Sequence, residues 1–96
     1  MEKKPLKWSK KADIDLDRIA EFYGSEVSPV FSEEALRSIY KAGGSISRSP
    51  YGYRAGKKAG TREYVMSRFP FTIVYRVKSS SVEIIRVLHQ ASRYFN

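Results

Sequence analysis

The sequence contains no cysteine. That absence excludes disulfides, thiolate zinc sites and a cysteine nucleophile, and it fits a reducing compartment. Histidine is almost missing as well: His89 stands alone, so a histidine-based metal cluster is impossible. No apolar run approaches the roughly 18 residues of a membrane span, and the charged opening MEKKPLKW has no apolar stretch behind it. The expectation is a cytoplasmic protein without membrane association. There is no phosphate-cradling glycine loop, paired-histidine metal helix or serine elbow. Neither a metal nor a cofactor is expected. Acidic residues are scarce in one half only. Residues 1–47 carry eight Lys/Arg and eight Asp/Glu, whereas residues 48–96 carry ten Lys/Arg against Glu63 and Glu83, so the whole formal charge of +8 lies in the second half. Such one-sidedness suits an acidic partner, polyanion or protein, as well as a solubilising surface.

What is present describes one folded domain. The 96 residues are 42% apolar and 14% aromatic, enough for a single modest core. LKW at residues 6–8 reads as a short strand. Ser9 is a suitable N-cap for a helix over residues 10–23, ended by Gly24. Ala12, Leu16, Ile19, Ala20 and Tyr23 form its apolar stripe, while Ile14 and Phe22 bracket Arg18 on a second face. Ser28-Pro29 opens a second helix, striped by Phe31, Ala35, Ile39, Ala42 and Ile46. Gly43-Gly44 interrupts it, predicting a bend, a frayed end or a neighbour packed against bare backbone. The short link between the helices makes them an antiparallel hairpin. Residues 47–60, SRSPYGYRAGKKAG, read as a loop.

Beyond that loop the period changes to two. Arg62, Tyr64, Met66 and Arg68 share one face of a strand, and Glu63, Val65, Ser67 and Phe69 the other. Phe71, Ile73, Tyr75 and Val77 follow as an apolar face, opposed by Thr72, Val74, Arg76 and Lys78. Residues 82–89 are apolar on both faces apart from Glu83 and Arg86, which suits a central strand. The fold class is therefore α+β: a short N-terminal strand and an antiparallel helical hairpin packed on a small, mainly antiparallel sheet.

For function, Arg54, Lys57 and Lys58 with Tyr51 and Tyr53 beside them could neutralise phosphates and stack on unpaired bases, though basic loops are common. His89 could act as a general acid or base, yet a lone histidine near a strand end is more often structural.

Taken together, KWSKKADIDLDRIAEFY, ISRSPYGYR, GTREYVM, FTIVYRV and VEIIRVLHQASRYF resemble the ParE/RelE superfamily of bacterial toxin–antitoxin toxins, in order and over nearly the whole chain. The resemblance implies the same α+β fold and one of two activities. RelE-like members cleave messenger RNA in the ribosome, which requires cations beside the scissile phosphate and an acid/base pair. Lys57, Lys58, Arg62, His89 and Tyr94 are the candidates for that chemistry. Those enzymes commonly carry an arginine where this chain has Thr72, and threonine supplies neither a permanent charge nor a bidentate fork. ParE-like members instead trap the cleavage complex of DNA gyrase with DNA and do no chemistry of their own. The ParE-like branch is the better match and leaves no catalytic residue. Target or nucleic-acid contacts are then expected from Arg54, Lys57, Lys58, Arg62, Arg76, His89 and Arg93. The resemblance also implies an acidic, partly disordered ParD-like antitoxin that folds on binding and builds a higher-order complex. Ile14, Arg18, Phe22 and Arg86 are its expected contacts.

Overall fold

A computed structural model describes residues 4–91. Its elements are β1 (Leu6–Trp8), α1 (Lys10–Glu26), α2 (Pro29–Arg48), β2 (Arg54–Ala55), β3 (Arg62–Val65), β4 (Phe71–Val77) and β5 (Val82–His89). The sheet runs β1-β5-β4-β3-β2. Only β1 and β5 are parallel; β5, β4, β3 and β2 pair antiparallel in turn. The two helices cover one face of this sheet, and Leu16, Ile19, Ile39, Ile46, Ile73, Tyr75 and Ile84 meet in the core between them. The α+β architecture expected from the pattern of residues is the one found.

The helices begin as their caps dictate. Ser9 Oγ accepts from the Ala12 amide at 3.0 Å and Ser28 Oγ from the Phe31 amide at 3.0 Å. Each cap satisfies an amide the helix itself cannot. The ends differ from expectation. Gly24 does not stop α1, which continues to Glu26 and closes where the Val27 amide donates to Tyr23 O at 3.0 Å. Packing outweighs glycine's poor propensity here: Ser32 Oγ bridges the hairpin to Ala20 O at 2.8 Å. Of the outcomes open for Gly43-Gly44, the close neighbour is the one found, and α2 runs on to Arg48. A Cβ on Gly43 would lie 2.9 Å from Leu6 Cδ2 and 3.0 Å from Trp8 Cζ2, so β1 packs on bare helix backbone.

In the second half, the supposed loop 47–60 supplies the end of α2 and the edge strand β2. The strand expected over residues 62–69 stops at Val65, and the bend after it brings both Met66 and Phe69 into the core. Thr72 and Val74 are buried as well, 6% and 1% exposed, because β4 lies between two neighbours. Val74 pairs with Arg86 but Tyr75 with Ile84, leaving Ile85 as an extra residue in β5. Bulges of this kind re-aim side chains, and the next residue, Arg86, reaches back to α1.

Candidate functional site

Two surface regions carry the residues singled out from the sequence. The first is a groove between α1 and β5. β1 ends opposite Ile84, so among the described residues β5 from Ile85 onward has no strand on that side, and α1 runs there instead. The start of α1 is fixed to β5 by Ser9, whose amide donates to Ile84 O at 2.9 Å and whose hydroxyl donates to Ile85 O at 2.8 Å. Asp15 then closes the junction. Its Oδ2 accepts from Arg86 Nε at 2.8 Å and from the Val87 amide at 2.9 Å, and its Oδ1 accepts from Arg86 Nη2 at 3.0 Å. This bidentate fork raises the guanidinium pKa further above its ordinary value, chiefly through the hydrogen bond to Asp15.

Past that junction lies a hollow of about 410 Å³, walled by Ile19, Phe22, Tyr23, Phe71 and Leu88 with Arg18 and His89 among its lining. A neighbouring hollow of about 210 Å³ adds Lys11 and Ile14. Ile14 and Phe22 are 41% and 60% exposed, unusual for two apolar side chains on one helix about two turns apart. All four expected antitoxin contacts, Ile14, Arg18, Phe22 and Arg86, thus line one continuous surface. Arg86, however, is already engaged by Asp15.

The second region is the basic end formed by β2, β3 and their turn. The turn closes with the Gly56 amide on Thr61 O at 2.8 Å and the Thr61 amide on Lys58 O at 3.1 Å. Gly60 has φ +79°, a left-handed conformation that glycine adopts without steric cost. Lys57 and Lys58 sit in this turn. Arg54 Nε pairs with Glu63 Oε1 at 2.8 Å; Glu63 is 3% exposed and Arg54 64%. Arg62 turns to the other side, donating from Nη1 to Tyr53 O at 2.9 Å and lying 5.2 Å from the Tyr51 ring centre. Tyr75 is buried beneath, its hydroxyl donating to Pro50 O at 2.6 Å, and burial pushes its pKa up to about 12.

His89 does not join this region. Arg62 lies opposite Tyr75 and His89 opposite Phe71, on the two flanking strands of β4. Four residues along β4 and two strand spacings across separate them by roughly 14 and 10 Å. His89 instead packs edge-on against Phe71, ring centres 6.0 Å apart, and its Nδ1 accepts from the Ala91 amide at 3.1 Å. The set Lys57, Lys58, Arg62 and His89 is therefore not assembled into one site. Arg93 and Tyr94 lie outside the described residues. Arg68 is exposed and pairs with Glu34 at 2.9 Å.

Asp15 and Glu63 are the two residues that reading the sequence missed. A signal existed for Asp15, which stands three residues after Ala12 and four before Ile19, on the buried stripe. None existed for Glu63, whose burial depends on strands on either side.

The family model described as the ParE toxin of the type II toxin–antitoxin system parDE matches residues 6–94. The Y4kP protein of Sinorhizobium fredii, provisionally named a toxin, is 30% identical over 89 residues, covering 93% of this chain and 91% of that protein. Among solved structures, the chromosomal ParDE toxin–antitoxin system of P. aeruginosa superposes with a TM-score of 0.82 at 26% identity, covering 90% of this chain and 95% of that one. The toxin–antitoxin complex RelBE2 of Mycobacterium tuberculosis shares the fold, with a TM-score of 0.63 at 22% identity over 96% of this chain and 97% of that one.

Proposed function

The chain belongs to the ParE toxin family of type II toxin–antitoxin systems, and from that premise we propose that it inhibits DNA gyrase by trapping the gyrase–DNA cleavage complex. The observation that carries this reading is that, among the described residues, the candidate ribonuclease groups do not converge. Thr72, where RNA-cutting relatives commonly carry arginine, is buried between Val65 and Leu88. The cations of the β2–β3 turn and His89 lie at opposite ends of the sheet. Cleaving a phosphodiester requires a cation, a base and an acid converging on one phosphate. A poison needs only a surface that holds another enzyme's intermediate.

Neutralisation follows from the groove. An acidic, partly disordered antitoxin of the ParD type docks against Ile14, Phe22 and Arg18, as its folding on the toxin buries the two exposed apolar side chains. The higher-order complex assembles through that antitoxin. The toxin acts in the cytoplasm, where gyrase and its DNA are found; among the described residues no helix is long and apolar enough to cross a membrane.

The test is to add purified protein to gyrase with plasmid DNA, and in parallel to translating ribosomes. Linear DNA should accumulate while message stays intact. Cut message with normal supercoiling would overturn the reading.

A further inference from the structure

A buried carboxylate that leaves one oxygen unsatisfied is costly unless its position serves something. Glu63 is such a residue. Its Oε1 accepts from Arg54 Nε, while Oε2 is buried with no hydrogen-bond partner among the described residues. The arrangement does little for Glu63 but much for Arg54. A guanidinium has five N–H donors, and Arg54 is gripped through Nε while its side chain stays largely exposed on the edge strand β2. The side chain is thereby fixed with its outer fork presented to solvent.

The neighbourhood is built in the same sense. Arg54 lies opposite Glu63, and Glu63 opposite Val74, so all three share a face; Arg76, two residues beyond Val74, shares it too. The helices cover the opposite face, against Ile73 and Tyr75. Two strand spacings and two residues of rise put the Arg54 and Arg76 backbones about 12 Å apart. The Lys57–Lys58 turn follows β2 directly, and a Cβ on Gly60 would lie 3.9 Å from Arg76 Nε. The acidic residues here, Glu63 and Glu83, are each already paired, the latter with Lys78 at 3.3 Å.

We propose that this helix-free corner, with Arg54 oriented by Glu63 and Arg76 beside it, is a binding site for the phosphate backbone of duplex DNA, and that Glu63 is its positioning residue. Fixed guanidinium forks match phosphate oxygens. Single-strand binders need a row of free aromatic platforms, and this end offers only one: Tyr53 packs edge-on with Tyr64 at 4.8 Å, and Tyr51, 64% exposed, has Arg62 5.2 Å from its ring centre. The site deepens the gyrase reading and rests on it for its biological meaning, since it supplies the contact to gyrase-held DNA.

The experiment measures binding of the purified chain to a mixed-sequence DNA duplex between 50 and 200 mM salt, beside a single-stranded RNA of equal length, with circular dichroism to check the fold of each variant. Arg54→Gln should weaken duplex binding and reduce the salt slope by about 0.9. Arg54→Lys, which keeps the charge at an exposed position, should still lose about tenfold, because a compact ammonium lacks the planar fork that lets Nε hold Glu63 while the outer N–H groups meet phosphate. Glu63→Leu removes a negative charge, so simple electrostatics predicts tighter binding; the positioning role predicts binding about three- to tenfold weaker, partly rescued by Glu63→Gln. Unchanged affinity of Arg54→Lys, tighter binding by Glu63→Leu, preference for the RNA, or no duplex binding at 50 mM salt would each overturn the site. The two readings separate cleanly. If the native chain binds duplex but leaves gyrase untouched, the site stands and the gyrase reading falls. If gyrase is trapped without measurable duplex binding, the reverse holds.

Discussion

Two buried carboxylates, Asp15 and Glu63, each hold an arginine, and they do so differently. Asp15 uses both oxygens and takes the Val87 amide as well, and Arg86 is 30% exposed. Glu63 uses one oxygen, leaves the other unpartnered, and Arg54 is 64% exposed. The first pair joins α1 to β5 across 71 residues of chain; the second links strands only nine residues apart. Full satisfaction at a junction between layers marks a fastening. Partial satisfaction at an exposed edge marks a cation held out for something else.

Substitution should break that comparison in a graded way. The largest effect is expected at Asp15→Leu, which strands the Arg86 guanidinium and the Val87 amide at once. Unfolding in urea should show a loss of about 3 kcal/mol, the lower end for a broken buried pair because Arg86 keeps some water. Next comes Phe22→Asp, which tests the groove rather than the fastening. Affinity for the antitoxin should fall at least about tenfold while stability changes by less than about 0.5 kcal/mol, since Phe22 is exposed.

Tyr75→Phe probes the support beneath the basic end and should cost about 1 kcal/mol for the lost bond to Pro50 O. Its pH signature is distinctive. Because the folded pKa stands at about 12 against 10.0 for the free side chain, the native state holds this proton more tightly. The contribution is complete below pH 10 and declines as pH rises toward 12. The native chain should therefore lose stability more steeply than Tyr75→Phe over that window. The smallest effect is expected at Glu63→Leu, within about 1 kcal/mol, because removing an orphaned buried oxygen offsets the lost ion pair. A loss there as large as at Asp15 would erase the distinction between the two pairs.

Much of the fold was legible beforehand because it rests on short-range signals. Caps at Ser9 and Ser28, helical stripes and the later period of two place six of the elements within a few residues. The mistaken boundaries share a cause. Gly24 looks like a stop on local propensity, but α1 runs past it where Ser32 bridges the hairpin to Ala20 O; at Gly43-Gly44 the expected close neighbour is present, as Leu6 and Trp8. Strand β2 escaped notice because two exposed residues pair only when β3 is beside them. The sites were less legible. Ile14, Arg18 and Phe22 could be grouped from helical spacing alone, whereas the distance between His89 and the basic turn depends on the register of three strands.

By itself, then, the sequence determined the layer architecture, the toxin family and the location of the excess charge, because periodicity, order of motifs and composition are properties of the chain. Only the tertiary structure decided that Arg86 is bound to Asp15, that Arg54 is held out by Glu63, and that His89 stands apart from the lysines. Those outcomes depend on which strands become neighbours, and no local pattern encodes a neighbour that is 71 residues away.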